Sequence, residues 1–514
     1  AAAAYKERYD PQLGGLRGAP KFPSSLPIPF LLRYGWRSQD PAFLQMATQS
    51  LEKMARGGLY DQIGGGFHRY ATDQAWQVPH FEKMLYDNAL LVPAYLEAFQ
   101  ITDNPLFRDI ATQTLHYVIR EMTAPQGAFY TASDADSLTP GGEREEGYYF
   151  TWTPSELKEV LGPESAVLAA RYFGITPQGN FEGRTIPHVP RSLETVAREF
   201  NLTPETLAQR IREIKERLYP ARLERPAPLQ DEKILTGWNG LMISAFAQAG
   251  LILNDRDYLR RAAAAARFIL AELHDPSGLK RSYTDGRAGA PGYIQDYAFL
   301  IAGLLDLHEA SQDPRWLSRA MDLEREVADR FEDQAAGGFF MTGKGHERLL
   351  ARQKPHWDGA VPSGNSVMVL NLLRLGQTTA QEGYRRRAAR TLTYFGHILE
   401  AQPTGLSRML LALDFYLDAP KEIVIVTPGT ATPPSGPLVD VVRNTFLPNR
   451  MLSVVNSGDS QEALGRWVPM ATGKTALAKT PTAYVCTQGS CQRPTQDPAQ
   501  LAHQLEAIEP YPSP

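Results

Sequence analysis

Phe43-Leu-Gln-Met-Ala-Thr-Gln-Ser-Leu-Glu-Lys-Met-Ala-Arg-Gly-Gly-Leu-Tyr60 sets the grammar of this chain. Phe43, Ala47, Leu51 and Met54 keep spacings of three and four, the stripe of an amphipathic helix, and Gly57-Gly58-Leu59-Tyr60 ends it. The same punctuation returns as Gly127-Ala128-Phe129-Tyr130, Gly278-Leu279, Gly337-Gly338-Phe339-Phe340 and Gly405-Leu406. The spacing is about sixty to seventy residues, with one double gap where Tyr219-Pro220 takes the glycine's place; this exceeds most helical solenoid repeats and suits a helix pair plus a long loop. Roughly a dozen helices follow from the apolar period: 26–35, 42–55, 85–100, 104–121, 154–172, 203–219, 237–253, 255–273, 296–311, 313–333, 364–377 and 379–400. Connections within a pair are short and those between pairs long, so the long, Gly- and aromatic-rich loops 57–84, 122–153, 274–295 and 334–363 gather on one face. That alternation favours closure over an open solenoid. The expected fold is mainly α, an (α/α)6 toroid of six helical hairpins with a small C-terminal α/β appendage.

With Lys plus Arg at 53 and Asp plus Glu at 57, the net charge of −4 gives no electrostatic case for nucleic acid or an anionic membrane as partner. Apolar residues at 43% supply ample core and exclude a disordered chain. Leu241 to Leu253, the longest nearly apolar run, falls short of the ~20 residues of a membrane span, and Ala1–Ala4 followed by Tyr5-Lys6-Glu7-Arg8 is no signal peptide. A cytoplasmic location is expected. Residues 1–24 read as a linker remnant, 25–419 as the toroid and 420–514 as an α/β domain. Its strands are Glu422–Val426, Met451–Val455 and Ala483–Cys486; helices fall near Leu438–Phe446 and Pro498–Ile508, and a Pro/Gly/Thr-rich loop spans Thr427 to Pro437. Cys486 and Cys491, four residues apart, are not a redox CxxC; they read as two packed cysteines before a disulfide.

The densest chemistry lies in Gly64-Gly-Gly-Phe-His68-Arg69-Tyr70 and Trp76-Gln-Val-Pro-His80-Phe-Glu82-Lys83-Met-Leu-Tyr86-Asp87-Asn88. A histidine shuttles protons near neutrality and a carboxylate can share that work; the bland alternative has His80 capping a turn and Glu82 paired with Lys83 or Arg69. A second cluster holds Asp134 and Asp136, two residues apart, with Trp152 downstream. Paired carboxylates suit glycosidic acid–base work or a hard cation, and an acidic solvated hairpin reads the same. A third, Lys354 to Asn365, holds His356, Trp357, Asp358 and Asn365. If the ring closes, His356 could face His80 across the cavity, the arrangement for epimerisation or aldose–ketose isomerisation, with Asp296 and Tyr297 completing the wall. The inner-helix starts Tyr86-Asp87-Asn88, Gly237-Trp238-Asn239, Gln295-Asp296-Tyr297, Ser363-Gly364-Asn365 and Leu406-Ser407-Arg408 gather Asp, Asn and Ser with Trp and Tyr, which fits a sugar-binding funnel as well as ordinary N-capping. No HExxH, Walker or dinucleotide-binding pattern occurs, so neither metal nor cofactor is expected.

Gly18-Ala-Pro-Lys-Phe-Pro23, Gly57 through Tyr70, Val78-Pro-His-Phe-Glu-Lys-Met-Leu-Tyr-Asp-Asn-Ala89, Ser133-Asp-Ala-Asp-Ser137, Lys233-Ile-Leu-Thr-Gly-Trp-Asn-Gly240 and Pro362-Ser-Gly-Asn-Ser366 resemble the spermatogenesis-associated protein 20 family. The resemblance covers nearly the whole chain. It implies an N-terminal thioredoxin-like domain, absent from this chain, followed by a six-hairpin glycosidase-like domain similar to those of N-acylglucosamine 2-epimerases and unsaturated glucuronyl hydrolases. Two readings result. One is a carbohydrate-acting enzyme, an epimerase or isomerase before a hydrolase, using His80 and His356 with Glu82, Asp87, Asp134 and Asp296. Its substrate would be held by His68, Arg69, Tyr86, Asp136, Trp152, Trp238, Asn239, Tyr297, Trp357, Asp358 and Asn365. The other is a non-catalytic scaffold that holds a glycan or protein beside a thioredoxin-like module.

Overall fold

Helices of two kinds alternate along the chain. The computed structural model describes residues 1–347, 349–428, 436–508 and 511. In order they are α1 (Ala2–Arg8), α2 (Ile28–Ser38), α3 (Pro41–Arg56), α4 (Leu85–Thr102), α5 (Pro105–Glu121), α6 (Pro154–Leu161), α7 (Pro163–Tyr172), α8 (Leu193–Glu199), α9 (Pro204–Leu223), α10 (Thr236–Ile252), α11 (Arg256–Glu272), α12 (Ile294–Ser311), α13 (Pro314–Arg330), α14 (Gly364–Thr379), α15 (Glu382–Ala401) and α16 (Ser407–Leu417). α4, α10 and α12 are apolar nearly all round, whereas α11, α13 and α15 keep their charges on one face. A helix apolar on all sides must be covered on all sides. Accordingly α2, α4, α10, α12, α14 and α16 touch in that order and α16 meets α2 again, closing an inner ring with α3, α5, α11, α13 and α15 outside it. The fold is a mainly α toroid.

The ring draws its members differently from the periodicity. The segments expected as helices 154–172 and 203–219 are not ring members. Gly162, at φ +76°, breaks the first into α6 and α7, and with α8 and α9 these pack around Leu157, Phe173, Val196, Leu207 and Leu218 as a separate core. The sixth inner place goes to α16. Ala2–Arg8, expected as linker, is a helix at the seam, with Tyr5 buried and its hydroxyl donating to the Thr404 carbonyl at 2.8 Å. α4 runs unbroken through Pro93, so Asp87 sits in its first turn.

The tightest crossing is that of α10 and α12. A Cβ on Gly240 would lie 2.5 Å from the Phe299 carbonyl carbon, and one on Gly303 2.5 Å from the Gly240 oxygen. Backbone cannot retreat as a side chain can, so Gly240→Ala should destabilise by about 2–3 kcal/mol. A melting temperature equal to wild type would contradict this contact.

Beyond the ring come β1 (Lys421–Thr427), α17 (Pro437–Asn444), β2 (Arg450–Asn456), α18 (Asp459–Gly465), β3 (Thr482–Thr487), β4 (Ser490–Cys491) and α19 (Pro498–Glu506). The sheet order is β2-β1-β3-β4, with β1 parallel to β2 and antiparallel to β3. Residues 429–435 of the expected Thr427–Pro437 loop lie outside the described residues. Cys486 and Cys491 form a disulfide, which corrects the packed-thiol reading: Gln488 and Gly489 both take positive φ, and the tight turn sets the two cysteines opposite each other.

This appendage covers the C-terminal ends of the inner helices. The Gln312 side chain donates to Leu452 O (3.2 Å) and accepts from Val454 N (2.8 Å), and Arg450 pairs with Glu309 at 3.0 Å. Beneath it lies an axial chamber of about 130 Å3 with the pairs Arg33–Glu97 and Arg374–Asp306, each at 2.7 Å. Access to the ring axis is thereby left to the N-terminal ends, where the long loops lie. No described helix is long and apolar enough to cross a membrane.

Candidate functional site

Short antiparallel strands knit the rim loops together. Lys83–Met84, Ala132–Ser133 and Gln230–Asp231 form one sheet; Ile234–Leu235, Ser282–Thr284 and Arg287–Ala288 form another. Three inner helices, α4, α10 and α14, each also grip the loop beside them through one amide. Asn88 Oδ1 accepts from Phe67 N (2.8 Å) while its Nδ2 donates to the Phe67 and Met84 carbonyls. Asn239 treats Phe129 and Leu235 the same way, and Asn365 treats Phe339 and Pro355. On α12 the Tyr297 hydroxyl accepts from Leu279 N (2.8 Å) and donates to Glu326 (3.1 Å). Of the residues clamped, Phe129, Leu279 and Phe339 belong to the Gly-aromatic punctuation. Asn239, Asn365 and Tyr297 are buried and fully bonded, and fix loops rather than offering themselves to a ligand.

Within this frame α4, α16, the 22–30 segment and the Asp358–Pro362 segment enclose a cavity of about 430 Å3 at the N-terminal mouth. Asp87 and Asp358 both line it. Asp87 is 6% exposed, and its carboxyl makes no hydrogen bond among the described residues, Oδ2 being fully enclosed. Burial pushes its pKa well above the usual carboxylate range; Arg69 opposes that shift and Glu82 adds to it. Asp358 is differently placed. Its Oδ1 accepts from Ser363 N (2.8 Å) and its Oδ2 from Arg408 N (2.6 Å), so it caps the starts of α14 and α16; burial raises its pKa too.

From Asp87 a chain of charges runs to the surface. Arg69 pairs with Glu82 at 3.1 Å, His80 Nε2 lies 3.7 Å from the same carboxylate, and His80 Nδ1 sits 2.7 Å from Glu146 Oε1 with its ring stacked on Tyr70. Tyr86 packs edge-on to Trp238, centroids 4.8 Å apart, and burial pushes its hydroxyl up to about 12. His80 itself does not line the cavity.

The other expected residues lie elsewhere. His356 sits against Phe395 with Nδ1 3.2 Å from the Lys354 carbonyl; it shares neither a partner nor the cavity with His80, so the two-histidine arrangement is not assembled. Trp357 is 55% exposed over Gly405. Asp296 caps α12 at Tyr293 N (2.9 Å), accepts from Gly237 N (3.2 Å) and meets Arg281 at 3.4 Å; burial holds it near pKa 6. Asp134 pairs with Arg144 at 3.0 Å beside the strand carrying Asp136. Trp152 is buried among the residues of the α6–α9 core under the Arg225 guanidinium. His68 is 1% exposed between the Phe81 and Phe150 rings, with Nδ1 donating to the Phe81 carbonyl at 2.7 Å. Among the described residues no three His, Cys, Asp or Glu side chains gather as a metal site.

Two cavity residues read from sequence only as part of an inner-helix start, and not as candidate site residues, are Ser407 and Arg408 at the start of α16. The signal was there: a cation in the first turn of a helix opposes the macrodipole and calls for an explanation.

No family model matches the chain. Among solved structures it is similar to a sugar epimerase from a ruminal bacterium (TM-score 0.32, 12% identity, 71% of this chain and 93% of that one). It is also similar to a GH76 alpha-mannanase of Bacteroides thetaiotaomicron (TM-score 0.43, 11% identity, 73% and 74%). No residue role carries over at these values. The sequence relatives are much nearer. Spermatogenesis-associated protein 20 of Homo sapiens is 37% identical over 535 residues, covering 96% of this chain and 67% of the relative, and that of Mus musculus is 35% identical over the same shares. An identity of that size, sustained over ring, insertion and appendage alike, means that the chain belongs to the spermatogenesis-associated protein 20 family.

Proposed function

We propose that the cavity at the N-terminal mouth binds a carbohydrate and that the protein is a sugar epimerase or isomerase, with Asp87 moving the proton. The observation that carries this reading is the enclosed Asp87 carboxyl, which lines the cavity without a hydrogen bond. An ionised carboxylate left so would cost several kcal/mol, so burial raises its proton affinity. In its ionised form it takes the proton from the carbon beside the sugar carbonyl, the C–H electron pair passing to the carbonyl oxygen as an enediolate, and as the acid it returns that proton to the same carbon or its neighbour. Arg69, Glu82 and His80 stand behind it and can re-set its charge. A space of about 430 Å3 accommodates one or two sugar rings. A glycan-binding scaffold is the second reading. It is favoured by the mutual pairing of His80, Glu82, Arg69 and Glu146, which leaves those groups engaged with one another.

Deuterium uptake from heavy water into a panel of aldoses and ketoses tests the proposal. Wild type is expected to exchange the hydrogen next to the carbonyl. Asp87→Asn should lower that rate by about 100-fold or more while calorimetric sugar binding persists. Binding without exchange in the wild type would favour the scaffold, and exchange unimpaired in Asp87→Asn would remove Asp87 from the chemistry.

A further inference from the structure

Three of the arginines that line the axial chamber have carboxylate partners: Arg33 with Glu97, Arg374 with Asp306 and Arg450 with Glu309. Arg408, which lines both that chamber and the mouth cavity, has none. Among the described residues its guanidinium makes no ion pair and no side-chain hydrogen bond, and its Nε is enclosed without a partner. Only its backbone N–H is engaged, by Asp358. Burial pushes its pKa down and the charge of Arg33 adds to that, while the more distant carboxylates of Glu97, Asp358 and Asp306 oppose it without pairing with it. The residue lies in the first turn of α16, where the helix dipole already disfavours a cation. Ser407, one residue earlier, presents a hydroxyl to the same cavity that is likewise unbonded among the described residues. A largely enclosed guanidinium that makes no ion pair and no hydrogen bond is costly, and an anion placed there would meet both the guanidinium and the helix N-terminus.

The enclosed, unpartnered carboxyl of Asp87 lies on the α4 wall of the same cavity, and the charges that bear on it are Arg69 and Glu82. The cavity therefore has two separate poles without hydrogen-bond partners among the described residues, a carboxyl and a cation. We infer that its ligand is an acidic sugar, a hexuronate whose single carboxylate is held by Arg408 and Ser407 while its hydroxyl-bearing carbons reach Asp87. The inference rests on the reading of the cavity as a sugar site. A single charge is the match, because one guanidinium faces the cavity and the Asp358 carboxyl beside it would oppose the second charge of a phosphate.

Calorimetry with glucuronate, glucose and glucose 6-phosphate tests this on the wild type, Arg408→Gln and Arg408→Lys. Glucuronate is expected to bind about 10-fold or more tighter than glucose. Arg408→Gln should erase the difference in affinity between glucuronate and glucose, and Arg408→Lys should keep part of the preference. A second readout does not depend on any ligand. Removing an uncompensated buried cation should raise the melting temperature of Arg408→Met by a few degrees. Equal affinity for the acid and the neutral sugar, a preference that survives Arg408→Gln, tighter binding of glucose 6-phosphate, or a lowered melting temperature in Arg408→Met would each overturn the inference. Uronate preference without proton exchange would refute the Asp87 chemistry and leave this subsite standing; exchange on neutral sugars without the preference would do the reverse.

Discussion

Asp61→Ala is expected to destabilise the protein by about 3–5 kcal/mol, the range for a buried ion pair broken from one side. Asp61 is buried under the rim, where its two oxygens take Arg222 Nη1 at 2.9 and 2.8 Å and its Oδ2 takes Lys83 Nζ at 2.8 Å. Its Oδ1 also accepts from the backbone N–H groups of Ile63 and Gly64, each at 3.0 Å. Arg222 is 0% and Lys83 1% exposed, so one carboxylate holds two cations that water cannot reach. Lys83 has further support from the Gly65 carbonyl at 2.8 Å and the Tyr117 ring at 4.2 Å; Arg222 has aromatic faces, but its Nε and Nη2 lack partners. Losing the carboxylate would leave two like charges facing each other in a low dielectric. Arg222→Met should cost less, because the Asp61–Lys83 pair survives it, and the double variant should be more stable than the two losses summed. Urea unfolding of the four proteins gives the coupling. Losses that add to within about 0.5 kcal/mol would mean that the cluster does not act as a unit. The geometry also says what the cluster joins: Arg222 belongs to α9 of the inserted helices, and Asp61 and Lys83 to the rim of the ring.

The ring was legible in the sequence because its signals are local. Each helix carries its own apolar period, and two of the Gly-aromatic stops are met by an amide near the start of an inner helix, Phe129 by Asn239 and Phe339 by Asn365. Ring membership was not legible. α6–α9 and α16 differ in what they pack against, and a stripe at helical spacing names no partner, so the period admits 154–172 and 203–219 and leaves the short α16 out of the helix count although Leu406-Ser407-Arg408 reads as an inner-helix start. The site shows the same division. Asp87 reads from sequence only as a supporting residue in a segment whose proton transfer is assigned to His80. His68, from the same segment, is buried between phenylalanines, and nothing in Phe67-His68-Arg69 distinguishes an imidazole turned inward from one turned to a ligand. His80 and His356 were paired on the expectation of closure. The ring does close, yet His356 turns to Phe395 on the outer helix α15, a matter of side-chain direction that topology leaves open. Arg408 becomes visible only once the carboxylates near the axis are all assigned to other arginines or to backbone.

His68 should make the fold acid-sensitive. Burial lowers its pKa from 6.5 to about 3, with the Lys83 charge adding to the effect and Asp61 opposing it. A carbonyl can only accept, so the 2.7 Å contact with Phe81 O places the proton of the neutral ring on Nδ1. In the unfolded chain the imidazole takes up a second proton near pH 6.5; in the folded chain it does so only near pH 3. Between those values the unfolded state binds more protons, so stability falls as the pH drops through the window and is fully present above it. The slope for one proton is about 1.4 kcal/mol per pH unit, and the whole window amounts to about 5 kcal/mol. Asp296, held near pKa 6, acts with the opposite sign: its folded form takes a proton first, which favours the fold on acidification. A single wild-type profile would mix the two. The difference between wild type and His68→Asn isolates the histidine, since Asp296 is common to both. His68→Asn should be less stable at pH 7 because it gives up the ring packing against Phe81 and Phe150. From pH 6 down to pH 4, however, its unfolding free energy should fall by about 1.4 kcal/mol less per pH unit than that of wild type. Denaturant titrations at half-unit intervals would detect that slope. Parallel profiles would mean that the imidazole titrates alike in both states, contrary to its enclosure.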